Sequence, residues 1–198
     1  MVMKARLSKT YPGFKLLAEL YINGPTMLVG RNGSGKTTLL RLIAGLERLD
    51  QGFIEVNGRN VTNLPPWQRR IAYVSPETYI PHMKVKDHLR LAQRMKLDHF
   101  MDLLREYSIP FEEKVGKLSM GQREVVAILT AIAADPAALL LDEAASNISR
   151  RRELLGRIME IIKTRSMDMI YVSQAKEDSE LFDSSLYIEN GRLIPSPL

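Results

Sequence analysis

One octapeptide limits what this chain can fold into more than any other feature. Gly30-Arg31-Asn32-Gly33-Ser34-Gly35-Lys36-Thr37 fits the pattern G-x-x-x-x-G-K-[ST] at every fixed position. At average residue frequencies the pattern arises by chance in on the order of one such chain in a hundred. Its glycines let backbone N–H groups curl around an anion, and a helix that follows adds its positive end. That requires a buried strand before the loop and a helix after it. Thr26-Met27-Leu28-Val29 is a short run without polar alternation, as in a strand buried on both faces, and Thr37 to Leu46 is apolar at helical period. A glycine-rich turn with an incidental lysine has no need of either flank. The candidate phosphate-binding residues are therefore Gly30, Arg31, Asn32, Gly33, Ser34, Gly35, Lys36, Thr37 and the adjacent Thr38. Lys36 is placed to reach β- and γ-phosphates, and Thr37 to offer its hydroxyl to Mg²⁺.

Such a loop needs an acid elsewhere to help hold magnesium. Ala138-Leu139-Leu140-Leu141-Asp142-Glu143 supplies one at the end of an apolar strand, where α/β sheets present their ligands. Asp142 is expected in the magnesium shell through water, and Glu143 as the general base that polarises an attacking water. Taken alone, two acids after an apolar strand read as a solvated strand end; the phosphate loop shifts the reading toward function.

Around these motifs the chain alternates apolar strands with helices, which predicts an α/β fold with a mostly parallel sheet. Residues 2 to 8 and Phe14 to Ile22 read as strands of an N-terminal antiparallel part, with Tyr11-Pro12-Gly13 as a turn. Phe53 to Val56, Ile71 to Ser75, Met169 to Ser173 and Leu186 to Ile188 are further strands. Lys84 to Tyr107 reads as helix, with Leu89, Ala92, Met95, Leu97, Met101 and Leu104 at helix-like spacing. Ser119 is a good N-cap for a helix running to about Ala134, and Arg151 to Thr164 is helical. The expected organisation is one domain, 1–198, with a core over about 1–77 and 135–198 and a helical insertion over about 78–134.

Composition removes whole classes of function. With 45% hydrophobic and 26% charged residues the chain is neither disordered nor coiled-coil. No apolar stretch approaches the roughly 18 residues of a membrane span, and the N-terminal residues lack the apolar core of a secretory signal. The absence of cysteine rules out disulfides, thiolate metal sites and a cysteine nucleophile. His82, His88 and His99 are too few for a well-supplied zinc site and read as solvated residues. The formal charge of +5 suits a polyanionic ligand without naming it. Arg150-Arg151-Arg152 reads as a solvated charged face rather than a nucleic-acid patch, and Trp67 as a partly exposed packing residue.

Between the loop and the second acid lies Leu118-Ser119-Met120-Gly121-Gln122. Here the chain resembles the nucleotide-binding subunits of ABC transporters, whose signature is Leu-Ser-Gly-Gly-Gln, with a change only at the third position. Leu64-Pro65-Pro66 before Ile71-Ala72-Tyr73-Val74, and Pro81-His82-Met83 after it, look like the importer ATPases for oxyanions or sugars. The resemblance implies the ABC ATPase fold, with ATP and Mg²⁺ as cofactors. It places Tyr11 where the family stacks an aromatic on adenine. It gives Ser119, Met120, Gly121 and Gln122 to a nucleotide held by a second subunit, so that two subunits sandwich ATP head to tail as a homodimer or heterodimer. It further implies membrane permease subunits as partners, a cytoplasmic location on the inner face of the membrane, and no nucleic acid. The physics of the signature stands beside the name: Ser119 caps a helix N-terminus, a ready anion site, with Gln122 at the N3 place of a capping box.

Three places depart from the family pattern. The lid loop normally carries Gln after Tyr-Val-x, whereas this chain has Tyr73-Val74-Ser75-Pro76-Glu77, leaving Glu77 as the substitute. Gln174 stands where the family has a switch histidine; it donates an N–H but cannot become cationic. The loop Ala144 to Ser149 lacks the family's early proline and its terminal aspartate. Glu143, Gln174 and Lys36 are thus the expected catalytic residues, Thr37 and Asp142 the metal ligands, and hydrolysis is expected to be slow. The alternatives are a non-transport ABC-type ATPase and a largely non-hydrolysing regulatory half of a heterodimer.

Overall fold

The computed structural model describes residues 2–91, 93–174 and 176–194, the side chains at 99, 176 and 177 excepted. Ala92 and the His99 side chain therefore lie outside the described residues. The chain opens with a hairpin of β1 (Met3–Tyr11) and β2 (Phe14–Ile22). Period-two alternation buries Met3, Ala5 and Leu7 with Leu16, Ala18, Leu20 and Ile22 on one face. Then come β3 (Pro25–Val29), α1 (Lys36–Ala44), β4 (Gln51–Val56), the two-residue β5 (Arg59–Asn60) and β6 (Ile71–Val74). Helices α2 (Val85–Leu89), α3 (Asp98–Glu106) and α4 (Met120–Ala133) follow. The chain closes with β7 (Ala138–Asp142), α5 (Arg151–Arg165), β8 (Asp168–Val172), β9 (Ser184–Glu189) and β10 (Arg192–Ile194).

The described strands form one ten-stranded sheet in the order β5-β4-β1-β2-β10-β9-β3-β8-β7-β6. The run β9-β3-β8-β7-β6 is parallel, and β1, β2, β4 and β5 pair antiparallel. These two parts meet at β10, which is antiparallel to β9 and touches β2 through the single register pair Arg192↔Leu17. Gly191 tightens that seam: its carbonyl accepts from the Leu17 N–H (2.7 Å) and its N–H donates to the Ser34 carbonyl (2.9 Å). The sheet separates two apolar cores. Leu139, Leu141, Met169 and Tyr171 face the helices α3, α4 and α5, whereas Leu140, Ile170 and Val172 face α1 and the antiparallel strands. This is why β7 and β8 carry no polar alternation: every residue in both is buried.

Two expectations change. The segment Lys84 to Tyr107 is two helices, α2 and α3, rather than one. The chain breaks because the Arg94 and Met95 N–H groups both donate to the Ala133 carbonyl at the end of α4 (2.7 and 3.0 Å), which satisfies them outside a helix of their own. His88 is not solvated. It is 3% exposed, accepting from the Ile80 N–H at Nε2 (3.2 Å) and facing the Thr130 hydroxyl at Nδ1 (2.8 Å). Trp67 is more exposed than expected, at 81%. Among the described residues no helix is long and apolar enough to cross a membrane.

Candidate functional site

The phosphate-loop sequence leaves β3, a fully or largely buried strand, and enters α1 at Lys36. The turn closes on itself through the Ser34 N–H to the Arg31 carbonyl (3.1 Å). Gly35 makes the turn into the helix with φ 109°, and a Cβ there would lie 2.9 Å from Phe14 Cζ, so only glycine suits both backbone and neighbour. No acidic side chain stands in the first turn of α1, which leaves the helix's positive end uncompensated. Lys36 is 6% exposed, and its Nζ donates to the Gly30 and Arg31 carbonyls (2.9 and 3.0 Å). Ser34 Oγ is buried without a hydrogen-bond partner in the protein. Buried polar atoms are rarely left so; an orphan hydroxyl beside a buried ammonium and a bare helix N-terminus is a fitting place for an oxyanion.

The loop lines a cavity of about 450 Å³, and the structure brings Asn32, Gly33, Gly35, Lys36, Thr37 and Thr38 together there with Phe14, Glu143 and Gln174. Glu143 follows the end of β7 in a left-handed backbone conformation (φ 55°), its N–H donating to the Val172 carbonyl (3.1 Å). That twist carries its carboxylate to the cavity, where Gln174 Nε2 donates to Glu143 Oε1 at 3.2 Å. Asp142 is 5% exposed at the tip of β7 and accepts from the Tyr73 hydroxyl at Oδ2 (2.8 Å). Burial, followed by the bond and charge of Asp142, pushes the Tyr73 phenol upward, so it remains a donor. Among the described residues no group of three acids or histidines is poised to hold a metal ion by itself. The buried Asp142 carboxylate, one residue before Glu143 on the cavity wall, and the Thr37 hydroxyl on that wall fit Mg²⁺, which is usually held by one or two carboxylates together with substrate phosphates.

Tyr11 is not on that cavity wall. Its hydroxyl donates to Glu47, which is ion-paired with Arg41 (2.9 Å), and burial with the Glu47 hydrogen bond pushes its pKa up to about 12. Phe14 takes the wall position, with the Tyr11 ring 6.2 Å away and tilted by 35°. Sequence reasoning passed over Phe14 as a strand residue; its place directly after the Pro12-Gly13 turn was the available signal.

The segment Ser119 to Gln122 builds a second place. Ser119 Oγ accepts from the Gln122 N–H (3.3 Å) and Gln122 Oε1 from the Ser119 N–H (3.0 Å), a complete capping box. Gln122 Nε2 also donates to the Tyr107 and Ser108 carbonyls (3.1 and 3.0 Å). Gly121 packs so closely on the next loop that a Cβ would lie 2.5 Å from the Asn147 carbonyl oxygen. Ser119, Gly121 and Gln122 line a cavity of about 290 Å³ with Asn147 and Ser149, distinct from the one at Lys36; Met120 is 57% exposed.

Further buried polar residues escaped the sequence reading. Glu124 on α4 is 1% exposed and holds Asn147 by its N–H (2.9 Å) and Nδ2 (2.6 Å); burial raises its pKa, and the Asn147 bonds oppose that. Arg123 reaches the Gly116 carbonyl (2.6 Å) and the Tyr79 hydroxyl (3.2 Å). The arginine triplet is only partly a solvated face: Arg152 pairs with Glu180 at the surface (2.7 Å), whereas Arg151 pairs with the fully buried Asp178 (2.9 Å). The lid-loop segment closes a turn through the Thr78 N–H to the Ser75 carbonyl (3.0 Å) and leaves Glu77 exposed.

A phosphate loop between a central buried strand and its helix, with an acid at the tip of a parallel strand one place further along the sheet, defines a P-loop α/β protein. Within that class the chain belongs to the ABC transporter family, whose profile matches residues 18–146. It is 35% identical to the molybdenum import ATP-binding protein ModC of Methylococcus capsulatus, over 96% of this chain and 58% of that protein. It is likewise 35% identical to the ModC of Escherichia coli, over 86% of this chain and 52% of that one. This chain thus spans between half and three fifths of the length of those relatives. Its fold is that of a solved ATP-binding subunit of an ABC transporter, with TM-score 0.84 at 24% identity over 98% of this chain and 88% of that one. A nucleotide-free ATP-binding cassette from another ABC transporter superposes with TM-score 0.81 at 18% identity, over 98% of this chain and 90% of that one.

Proposed function

We propose that this chain is the ATP-binding subunit of an ABC importer, binding MgATP at Gly30–Thr38 and hydrolysing it to drive separate membrane subunits from the inner face of the membrane. The observation that carries this reading is the convergence of a bare helix N-terminus, the Lys36 ammonium, the Glu143 carboxylate and the Gln174 amide on one cavity of about 450 Å³. The loop amides and Lys36 receive the β- and γ-phosphates, with Gly30, Arg31 and Ser34 completing the turn. Thr37 and Asp142 would hold Mg²⁺, which when bound neutralises charge developing on the phosphates. The Tyr73 hydroxyl fixes the Asp142 carboxylate in place. Glu143 takes a proton from the attacking water as general base, and Gln174 donates its N–H toward the γ-phosphate while orienting Glu143. Phe14, with Tyr11 behind it, offers the aromatic surface for adenine.

Ser119, Met120, Gly121 and Gln122 serve the nucleotide of a second ATP-binding subunit, a copy of this chain or a related one, arranged head to tail. That the Ser119 helix end lines a cavity sharing no residue with the phosphate loop supports a site completed between two subunits. The helical segment of about 78–134 is the side from which membrane subunits are driven. The names of the relatives, which specify molybdenum import, support an oxyanion as the cargo. Steady-state ATPase of the purified chain tests the reading: turnover is expected, with Glu143→Gln keeping MgATP binding, losing about a hundredfold or more in rate and accumulating an ATP-bound dimer. Absence of any adenine-nucleotide binding rejects it. A second reading, a regulatory half that hydrolyses poorly, is favoured by the neutral Gln174 on Glu143. Under that reading turnover appears only when a full-motif partner is added.

A further inference from the structure

The fully buried carboxylate of Asp178 lies outside every motif so far described, yet it fastens together the two segments that leave the catalytic pair. Its Oδ2 accepts from the Tyr171 hydroxyl (3.0 Å) and the Ser173 hydroxyl (3.1 Å), both on the strand end that leads into Gln174. Its Oδ1 accepts from Arg151 Nη2 (3.2 Å), and Arg151 Nε lies 2.9 Å from Oδ2. Arg151 opens α5, the helix that follows the loop running on from Glu143. One carboxylate thus holds Tyr171 and Ser173, and Ser173 directly precedes Gln174. The same carboxylate ties these two residues to Arg151, at the far end of the Glu143 loop. On the other side Gln174 Nε2 donates to Glu143 Oε1 (3.2 Å). A charge this deeply buried is kept only where its partners answer it, and a fully answered one is rigid.

We propose that Asp178 is a positioning residue for hydrolysis: through Ser173 and Arg151 it holds the Gln174 amide in register with Glu143. The proposal rests on the reading of Glu143 and Gln174 given above. It is tested in the full chain by a double-mutant cycle on steady-state ATPase with Asp178→Asn, Gln174→Ala and both together. Asparagine keeps the shape and an acceptor but loses the charge toward Arg151. The expected result is a fall in kcat of about tenfold for Asp178→Asn with KM for MgATP within about twofold, and no further fall when it is added to Gln174→Ala. Independent, multiplying losses in the double variant overturn the proposal, as does an unchanged kcat or a loss carried by KM. Should Asp178→Asn fail to fold, Ser173→Ala removes one donor and takes its place in the cycle with the same expectations. Absence of turnover in the unaltered chain, alone and with a full-motif partner, would reject the hydrolytic roles of Glu143 and Gln174 instead. The strut is then read from amide exchange at Ser173 and Gln174, which Asp178→Asn is expected to quicken; unchanged exchange overturns it.

Discussion

Glu143 sits in a backbone region that side-chain-bearing residues avoid (φ 55°), at a cost of about 1 kcal/mol. The conformation aims its carboxylate at the cavity, so strain and function occupy one residue. Glu143→Gly is therefore expected to abolish turnover while raising stability by about 1 kcal/mol, read from denaturant unfolding and from ATPase on the same preparation. A loss of stability would show that the Gln174 contact outweighs the strain. Gln174→His places an ionisable donor against Glu143 and is expected to raise turnover with nucleotide affinity little changed, measured by ATPase and calorimetry. At this scale the sequence was most legible where chemistry is contiguous. Lys36, Thr37, Asp142 and Glu143 stand in runs whose spacing is itself the signal. Phe14, Tyr73 and Asp178 are brought in from separate strands and loops, and an aromatic or a single acid in such a place reads as ordinary core or surface.

At the scale of elements, α4 shows how one segment serves its own start and a distant loop together. The Ser119–Gln122 capping box satisfies two N–H groups at its start, and Glu124 one turn on grips the loop that follows Glu143. Ser119→Ala is expected to lower stability by about 1 kcal/mol, checked by thermal and denaturant melts. Gly121→Ala is expected to act elsewhere. A Cβ 2.5 Å from the Asn147 carbonyl displaces residues 144–149, lowering turnover at least as much as stability. The cap and both ends of α4 were legible because capping chemistry is local. The division between α2 and α3 was not, since Arg94 and Met95 are drawn off by the Ala133 carbonyl, a contact no periodicity encodes. For the same reason β5 and β10, two and three residues long, carried too little pattern to be read as strands.

Across the whole molecule, the mostly parallel character of the sheet was legible in strands apolar throughout, Ala138 to Leu141 foremost, whereas the strand order and the two cores came only with the structure. Leu140→Ala, at a position with no exposure between β6, β8 and α1, is expected to cost about 2–5 kcal/mol in unfolding experiments. His88 predicts the response to acid. Thr130 gives its hydroxyl proton to the Val126 carbonyl (2.8 Å), so it accepts from His88 Nδ1–H, and Nε2 is the acceptor for Ile80. A second proton at Nε2 would meet the Ile80 N–H head-on, and burial already lowers this imidazole's pKa. The unfolded chain takes up that proton near pH 6.5, whereas the folded one takes it up only at lower pH. Stability from this residue is thus whole above pH 6.5 and falls on acidification, by up to about 1 kcal/mol between pH 6.5 and 5.5. Urea melts at both pH values check this, with His88→Gln expected to flatten that part of the slope.

Gly191 gives its N–H to the turn of residues 30–37 and its carbonyl to the first hairpin. Under the proposed function, a triphosphate engaged at the Ser34 turn is expected to be felt along the line where the two halves of the sheet are stitched. Deuterium uptake at the Leu17 amide is then expected to fall when MgATP is added, and a chain cut before Gly191 to lose both the stitch and that response.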